Sequence, residues 1–227
     1  MNSPDLDWRE SDLGPVPVSR QFDDPYYTLH DGHAESQHVF LAGNDLPARF
    51  CDGFQIAELG FGTGLNLLAA VEAWEERAGR FGFTTFERFP LTVEQIASAL
   101  APWPTLASLT RELTEAYTLD HPFALGPADV HIITGDARET LARSNFSANA
   151  WFLDGFSPAK NPELWEADLL TEVARHTAPN GTFATYTAAS DVRRALQSAG
   201  FRVEKTRGYG RKREMLRGWL EPKVTGS

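Results

Sequence analysis

The sequence Ile-Ala-Glu-Leu-Gly-Phe-Gly-Thr-Gly-Leu-Asn occupies residues 56–66 and is followed by an apolar run at 67–71. An apolar segment that ends in an acid, then glycines on alternate positions, predicts a buried strand, a tight turn and a helix start. Because glycine lacks a side chain, Gly60, Gly62 and Gly64 can adopt positive φ beside the free amides of a helix N-terminus. We predict a ligand-binding turn; for the turn alone, a tight strand-to-helix connection is the alternative.

The spacing of this turn indicates its ligand. Dinucleotide-binding folds use G-x-G-x-x-G, followed about 20 residues later by an acid that holds a ribose. Here the spacing is G-x-G-x-G, and Glu58 stands before the turn, where a carboxylate favours a cationic ligand over a phosphate. This variant resembles motif I of the Rossmann-like S-adenosylmethionine (SAM) methyltransferases, which implies that Glu58 supports the amino-acid end of SAM. The resemblance also implies cofactor contacts at Gly60, Phe61, Gly62, Gly64, Leu65 and Asn66.

Two further acids stand where predicted strands end. Glu87 lies 23 residues beyond Gly64, close to the position of the ribose-binding carboxylate in Rossmann-like folds. An ion pair with Arg88 is the alternative for Glu87. Asp136, with Ala137 after it, resembles the segment that receives adenine in these methyltransferases, and a helix N-cap is the alternative for Asp136.

Length and composition limit the class of protein. A chain of 227 residues suits one domain that buries about 70 to 75% of its unfolded surface. The single cysteine, Cys51, has no partner and no metal-ligand spacing around it, so we expect neither a disulfide nor a metal site. Residues 1–10 lack a basic segment followed by an apolar run, and no stretch approaches about 18 apolar residues. We therefore expect a cytoplasmic protein that does not enter a membrane.

The charge is unevenly distributed. The formal net charge of −10 argues against a nucleic-acid partner, because neutralising a phosphate backbone requires lysine and arginine. Residues 190–227, however, contain ten basic and four acidic residues, a charge of +6 that leaves −16 for the rest. The pattern is compatible with a basic face on an acidic body, and a solvated charged surface is the alternative.

Hydrophobic periodicity predicts the other elements. Residues 1–18 are predicted to form a loosely attached arm, and 19–27 and 35–41 two short strands or a hairpin. Region 91–125 is long for a loop and predicts an inserted pair of helices at 92–100 and 105–117. The other predicted helices lie at 65–77, 137–141, 163–176 and 190–199, and the other strands at 81–86, 130–134, 150–153, 181–187, 201–205 and 213–220. We divide the chain into an N-terminal arm with short strands packed on the core at 1–50, a main domain at 51–220 and a tail at 221–227.

A second informative stretch, Ala-Trp-Phe-Leu-Asp-Gly-Phe-Ser-Pro-Ala-Lys-Asn-Pro, occupies residues 150–162. A buried strand delivers Asp154 to its carboxyl end, and the following glycine, asparagine and prolines predict an ordered loop rather than an immediate helix. Active sites of open α/β sheets lie at this end of the strands. Asp154 is therefore our candidate catalytic residue, with Glu35 or Tyr26 as the next candidates.

Both stretches, with four others, resemble the methyltransferase domain of the bacterial enzymes that synthesise 5-methylaminomethyl-2-thiouridine in tRNA, the MnmC family. The resemblance extends over about residues 19–220 and rests on Phe-Asp-Asp at 22–24, Val-Phe-Leu-Ala-Gly-Asn at 39–44, Glu-Leu-Gly-Phe-Gly-Thr-Gly-Leu-Asn at 58–66, Phe-Glu-Arg-Phe-Pro at 86–90, Asp-Gly-Phe-Ser-Pro-Ala-Lys-Asn-Pro at 154–162 and Arg-Lys-Arg-Glu-Met at 211–215. It implies an α/β, Rossmann-like SAM-dependent methyltransferase fold. Such a fold has a mostly parallel seven-stranded sheet with helices on both faces, here with an N-terminal hairpin-like extension and a helical insertion.

The activity that this resemblance implies is SAM-dependent methylation of the aminomethyl nitrogen of 5-aminomethyl-2-thiouridine at the tRNA wobble position, giving 5-methylaminomethyl-2-thiouridine. SAM is the implied cofactor and tRNA the implied partner. Many relatives carry a C-terminal FAD-dependent oxidase that exposes the amine. This chain contains no second glycine fingerprint, so we expect the oxidase on a separate polypeptide or a removed domain. The alternatives are a SAM methyltransferase of a small-molecule amine or a protein, and a non-catalytic SAM- or RNA-binding module.

Under this resemblance Asp154 binds and orients the substrate amine. An alkylamine has a reference pKa of about 10.4 and arrives protonated, and a carboxylate of ordinary pKa is a weak base for it, so we expect mainly positioning. For Tyr26 a core position is the alternative, and for Lys160 a structural role in the loop rather than a phosphate contact. The substrate-binding candidates are Tyr26, the loop residues Phe156, Ser157, Pro158 and Lys160, and the basic Lys212 and Arg213, which we expect to dock tRNA.

Overall fold

The computed structural model describes residues 4–74 and 77–221, which form a large mixed sheet flanked by helices and a small N-terminal sheet. The strands are β1 Leu6–Arg9, β2 Val16–Ser19, β3 Asp24–Pro25, β4 Phe54–Leu59, β5 Phe81–Glu87, β6 Phe123–Leu125, β7 Ala128–Thr134, β8 Ala148–Leu153, β9 Thr177–Thr185, β10 Phe201–Arg207 and β11 Glu214–Leu220. The helices are α1 Gly32–Ser36, α2 Leu65–Trp74, α3 Val93–Leu100, α4 Ala107–Ala116, α5 Ala137–Arg143, α6 Ala167–Arg175 and α7 Ser190–Ser198.

The large sheet has eight strands in the order β10-β11-β9-β8-β4-β5-β7-β6. Strands β4, β5, β7, β8 and β9 are parallel, whereas β11 is antiparallel to both of its neighbours and β6 is antiparallel to β7. This arrangement confirms the predicted Rossmann-like class. The seven predicted strands are present, and the additional strand β6 is a three-residue segment at one edge.

Side chains of the central strands alternate between two hydrophobic clusters. Ile56 and Phe152 belong to the cluster that contains residues of α2, α3 and α4, whereas Ala57 and Trp151 belong to the cluster with α5, α6 and α7. Because successive strand residues point to opposite faces, a strand that is covered on both sides needs an unbroken apolar run. The apolar runs of β4 and β8 therefore reflect helices on both faces of the sheet.

The parallel register brings the two informative stretches to one edge of the sheet. Leu59, the last residue of β4, pairs with Leu153 of β8 and with Phe86 of β5. The Gly60 amide continues the ladder with a hydrogen bond of 2.9 Å to the Phe86 carbonyl. The strand order reverses at β4, which lies between β8 and β5. Ligands bind at such a reversal in open α/β sheets.

The predicted arm at 1–18 is wrong for the part of it that the structure describes. Strands β1 and β2 form an antiparallel hairpin, and β3 extends it to three strands. Val16 and Val18 of β2 are almost fully buried, because this small sheet packs on the main core. The hairpin-like extension thus exists, but it uses residues before 19 as well as the predicted segment 19–27.

The predicted strand at 35–41 is also wrong, because this segment is helical. The Asp31 carboxylate accepts a hydrogen bond from the Ala34 amide and caps α1, and helical conformation continues through a π-helical stretch to Asn44. A capping aspartate favours a helix start at this position. The apolar residues of 39–41 then pack into the same cluster as α2.

The predicted helical insertion is confirmed. Helices α3 and α4 lie within the predicted ranges, separated by a 3-10 turn at Pro104–Leu106. The Thr92 hydroxyl accepts a hydrogen bond from the Gln95 amide, and the Gln95 side chain accepts one from the Thr92 amide. This capping box fixes the start of α3.

The division into segments 1–50 and 51–220 stays a prediction. Val16 and Tyr27 share a hydrophobic cluster with α2, so the N-terminal segment packs on the rest of the chain. The predicted tail at 221–227 lies outside the described residues, except for its first residue. Over the described ranges, every helix lacks the length and apolar character needed to cross a bilayer.

Candidate active site

A cavity of about 460 Å³ opens at the carboxyl ends of β4, β5, β7 and β8. This volume falls within the usual range for a small-molecule site. Predicted residues that line the cavity are Tyr26, Gly60, Phe61, Gly62, Leu65, Asn66, Glu87, Asp136, Ala137, Asp154, Phe156, Ser157 and Lys212. Five predicted residues are not part of the lining: Glu58, Gly64, Pro158, Lys160 and Arg213.

The glycine turn has the predicted conformation. Gly60 and Gly62 have φ of +86° and +52°, in the region that favours glycine. A Cβ at Gly60 would lie 3.3 Å from the Asp154 carbonyl oxygen, and one at Gly62 would lie 3.2 Å from the Tyr26 ring. Side chains at these positions would therefore fill the space between the turn and the neighbouring elements, which the bare backbone leaves open for a ligand.

Glu87 holds the turn from the end of β5. Its carboxylate accepts hydrogen bonds from the Gly62 amide at 2.9 Å and from the Phe89 amide at 2.7 Å. Burial raises the pKa of Glu87, although these amides favour its charged form. Arg88 pairs with Asp136 at 3.1 Å, so the structure does not show the alternative ion pair between Glu87 and Arg88. Glu87 also lines the cavity, and its ribose role stays a prediction.

Asp136 has the N-cap role that was its alternative. Its carboxylate accepts a hydrogen bond from the Arg138 amide at 3.0 Å and pairs with the Arg138 guanidinium at 2.7 Å. The hydrogen bond from Arg138 lowers the pKa of Asp136. Because Asp136 and Ala137 also line the cavity, their adenine role stays a prediction.

Glu58 supports this region from behind the cavity wall rather than from within the lining. It is fully buried and accepts hydrogen bonds from Thr85 at 2.8 Å and from Asn66 at 2.9 Å. Burial raises the pKa of Glu58 well above its ordinary value. Asn66 therefore stands between Glu58 and the cavity, and any support for a cofactor passes through Asn66.

Asp154 lies beside Gly60 with its carboxylate oriented by two donors. Oδ1 accepts a hydrogen bond from the Gly155 amide at 2.8 Å, and Oδ2 accepts one from Asn66 at 2.8 Å. Burial raises the pKa of Asp154 to about 7, and the charge of Glu35 adds to this effect. The expectation of an ordinary carboxylate pKa is therefore wrong. A carboxylate that titrates near neutral pH is a more effective base for an amine.

The loop after Asp154 is fastened to the N-terminal sheet. The Ser157 amide donates to the Asp24 carboxylate at 2.8 Å, and the Phe156 ring stacks on Phe22 at 4.7 Å. Lys160 pairs with Asp23 at 3.2 Å, which is the structural role named as its alternative. Tyr26 packs edge-on against Phe156 at 5.0 Å and faces the cavity. The N-terminal segment therefore forms one wall of the site.

Lys212 enters the cavity from the loop between β10 and β11. Its ammonium lies 2.9 Å from the Glu35 carboxylate and 3.9 Å from the centre of the Tyr186 ring. Arg213, the other predicted docking residue, is exposed and does not line the cavity. Lys212 therefore lies inside the cavity and Arg213 outside it, although both were predicted to dock tRNA.

Several lining residues are absent from the sequence-based candidates. Tyr186 follows β9 at the same sheet edge, and its hydroxyl donates to the Gly155 carbonyl at 2.7 Å. Its position at the end of a parallel strand could have indicated a site residue, but the turn after β9 contains no recognisable motif. Ser36 lies on α1, which the sequence analysis assigned to a strand, so its contact with Asn66 at 2.6 Å was not predicted.

The sequence over residues 104–221, more than half of the chain, matches the family described as S-adenosyl-L-methionine-dependent methyltransferase. The chain belongs to this family. SAM is therefore the cofactor of this methyltransferase, and the glycine turn with its bare backbone fits such a ligand. When bound, SAM supplies the methyl group that is transferred.

Named relatives of this methyltransferase are longer proteins. It is 43% identical over 231 residues to the tRNA 5-methylaminomethyl-2-thiouridine biosynthesis bifunctional protein MnmC of Stutzerimonas stutzeri, covering 96% of this chain and 34% of that protein. The protein of the same name from Pseudomonas aeruginosa is 44% identical over 227 residues, with coverage of 94% and 34%. The chain thus spans about a third of the length of these curated relatives.

Solved structures support the fold. The crystal structure of MNMC2 from Aquifex aeolicus aligns with a TM-score of 0.82 at 25% identity, covering 97% of this methyltransferase and 72% of that chain. The precorrin-6y C5,15-methyltransferase from Geobacter metallireducens aligns with a TM-score of 0.53 at 14% identity, covering 90% and 94%. The second likeness shows the fold alone.

Proposed function

We propose that this methyltransferase transfers a methyl group from SAM to the aminomethyl nitrogen of 5-aminomethyl-2-thiouridine at the tRNA wobble position, giving 5-methylaminomethyl-2-thiouridine. The observation that carries this proposal is the identity of 43 to 44% to MnmC proteins over 94 to 96% of the chain. Such an enzyme would act in the cytoplasm on tRNA. The FAD oxidase activity that exposes the amine would belong to another polypeptide or to a domain outside this chain.

The proposed reaction is an in-line displacement that needs a neutral nitrogen about 3 to 3.5 Å from the methyl carbon. The substrate ammonium gives one proton to the Asp154 carboxylate, and the freed lone pair forms the new nitrogen–carbon bond as the methyl–sulfur bond breaks. Asp154 suits this step because its pKa is about 7 and because Asn66 and Gly155 orient its carboxylate. The proton then passes to solvent.

We assign the cofactor to the β4 side of the cavity. The turn residues Gly60, Phe61 and Gly62 would lie against SAM. Gly64 would shape the turn, and Leu65 and Asn66 begin the helix that follows it. Glu87 would bind the ribose, while Asp136 and Ala137 would border adenine. Glu58 would act through Asn66.

We assign the modified base to the side of the cavity formed by the Asp154 loop and the N-terminal wall. Tyr26, Phe156 and Ser157 line this side and would contact the base. Pro158 and Lys160 would hold the loop in place. Arg213 is exposed beyond the cavity and is our candidate for contact with the tRNA backbone.

The experiment that tests this proposal is incubation of the protein with methyl-labelled SAM and tRNA that carries 5-aminomethyl-2-thiouridine, followed by nucleoside analysis. We expect the label in 5-methylaminomethyl-2-thiouridine and nowhere else. Fully modified tRNA is the matched negative control. Label in a free small amine or in protein, with none in this tRNA, would replace the proposal by the corresponding alternative substrate.

A further inference from the structure

Lys212 brings a cation into the cavity, and two direct contacts fix its position. Lys212 is bound by the Glu35 carboxylate at 2.9 Å, and its ammonium lies 3.9 Å above the Tyr186 ring. The Tyr186 hydroxyl is itself tied to the Gly155 carbonyl beside Asp154. The Glu35 carboxylate also accepts a hydrogen bond from the Thr28 amide at 3.2 Å. A lysine is flexible when unrestrained, so these contacts give its charge a defined place.

Charged groups of both signs surround Asp154. Lys212 and Glu35 line the same cavity as Asp154; burial raises the pKa of Asp154, the Glu35 charge adds to this effect, and the Lys212 charge opposes it. The titratable and charged groups that line the cavity with Asp154 are Asp24 on β3, Tyr26, Tyr27 and His30 after it, Glu35 on α1, Glu87 and Arg88 at the end of β5, Asp136 after β7, Glu163 in the loop after Asp154, Tyr186 after β9, and Tyr209, Arg211 and Lys212 on the loop after β10. Glu58 on β4 lies behind Asn66. The Lys212 ammonium therefore lies among carboxyl groups, of which Glu35 is the one that it contacts.

We propose that Lys212, held by Glu35 and the face of the Tyr186 ring, is a charge-setting residue that favours the carboxylate form of Asp154 and eases the loss of a proton from the incoming amine. This inference rests on the proposed function for the identity of the amine. A nearby positive charge favours a carboxylate over a carboxylic acid and a neutral amine over an ammonium. Both effects act in the direction that methyl transfer requires.

The proposal assigns opposite effects to two residues that contact each other. Removing the Lys212 charge raises the pKa of Asp154, whereas removing the Glu35 charge lowers it. A purely structural role for the ion pair predicts the same direction for both variants, because either change breaks the same contact. The sign of the two shifts therefore separates an electrostatic role from a structural one.

The primary experiment follows the Asp154 carboxyl carbon by ¹³C NMR during a pH titration, with its signal assigned by loss in Asp154→Asn. We expect the Asp154 titration to move up by about one pH unit in Lys212→Met and down in Glu35→Gln. Lys212→Arg keeps the charge and should restore most of the parental value. This measurement needs no substrate, so its result stands even if the proposed tRNA activity fails.

Lys205 provides a matched control. Its side chain is 40% exposed and pairs with Glu214 at 2.7 Å, compared with 41% exposure and 2.9 Å for Lys212, but Lys205 lies outside the cavity lining. Lys205→Met removes the same charge from the neighbouring strand and should leave the Asp154 titration in place. If Lys212→Met is poorly folded by thermal melting, Lys212→Gln replaces it in the titration.

Single-turnover rates with saturating SAM and hypomodified tRNA give the second readout. The acid limb of the pH–rate profile should move in the same directions as the NMR titration. An Asp154 titration that is equal in Lys212→Met and Lys205→Met would overturn the proposal. If Lys212→Met instead weakens tRNA binding and flattens its salt dependence with an unmoved pH profile, Lys212 is a phosphate contact and the proposal is wrong.

Discussion

Asn66 donates a hydrogen bond of 2.8 Å to the Asp154 carboxylate while its second N–H donates to Glu58 at 2.9 Å. Its side-chain oxygen accepts a hydrogen bond from the Ser36 hydroxyl, so the nitrogen and the oxygen of this amide both have hydrogen-bond partners. Asn66 therefore couples the cofactor turn to the candidate base.

For Asn66→Ala we expect the acid limb of the pH–rate profile to move upward. The Asn66 hydrogen bond lowers the pKa of Asp154, and a hydrogen bond to a charged group contributes about 1.5 to 3 kcal/mol, which corresponds to about one to two pH units. Single-turnover rates across pH measure this shift. Asn145→Ala, at an exposed asparagine outside the cavity, is the control. A profile equal to that of the control would exclude an effect of Asn66 on Asp154.

For Asp154→Ala we expect loss of most methyl transfer, by a factor of about 10² to 10⁴, with SAM binding largely intact. The carboxylate is the group proposed to accept the amine proton, and loss of that role appears in the chemical step. Single-turnover rates and SAM titration on the same folded protein measure the two quantities. Asp168→Ala on the exposed face of α6 is the control. Parental rates in Asp154→Ala would remove this residue from the mechanism.

For Glu87→Ala we expect SAM to bind about ten- to a hundredfold more weakly, because hydrogen bonds to a charged group contribute about 1.5 to 3 kcal/mol. The carboxylate also holds the Gly62 amide, so part of the loss reflects a looser turn. Glu87→Gln keeps one acceptor oxygen, and its SAM affinity should fall between those of the parent protein and Glu87→Ala. Calorimetric titration measures the affinity, and exposed Glu139 supplies the control change Glu139→Ala. Unchanged affinity would count against the ribose assignment.

For Glu58→Gln we expect the free energy of unfolding to decrease less with rising pH than it does in the parent protein. Burial raises the pKa of Glu58 above its ordinary value of 4.5, so the folded protein binds this proton more tightly than the unfolded chain. Stability from this group is then fully present below about pH 4.5 and is lost as pH rises through the folded pKa. Glutamine can keep contacts to Asn66 and Thr85 without titrating. Urea unfolding at several pH values measures the difference, and equal slopes for variant and parent would contradict it.

For Arg213→Ala we expect weaker tRNA binding with a salt slope reduced by about one, since one fewer counterion is released. SAM affinity should not change, because Arg213 is outside the cavity lining. Filter binding at several salt concentrations measures the slope. Arg175→Ala is the control, because Arg175 is also exposed but lies on α6 beside Glu172. An unchanged slope would move the docking surface elsewhere, for example to the insertion at 91–125.

The part of the fold that the sequence predicts best is the part buried on both faces. The apolar runs of β4 and β8 can be satisfied only inside a covered sheet, and the glycines after β4 restrict the turn to few conformations. Segment 35–41 was less predictable, because its helical state depends on a cap at Asp31 and on burial against α2. Those contacts are tertiary, and a local alternation of residue types does not contain them.

The site residues also divide into those that the sequence predicts and those that depend on tertiary contacts. Asp154, Glu87 and Asp136 stand at strand ends, so parallel register alone brings them to one cavity. Lys212 belongs to a loop that follows the last parallel strand by many residues, and only the folded hairpin of β10 and β11 places it beside Glu35. The raised pKa of Asp154 also depends on burial, which a list of residue types does not reveal.

The pairing of Leu59 with Leu153 limits how this protein can change in length. Insertion of one residue into β8 would shift that register and turn each following side chain to the opposite face of the sheet. Asp154 would then leave Asn66 and enter the hydrophobic layer beneath the strand. Natural or designed variants of this enzyme should therefore tolerate insertions in exposed connections, whereas the last residues of β4 and β8 should keep a constant spacing to the turn and the loop that follow them.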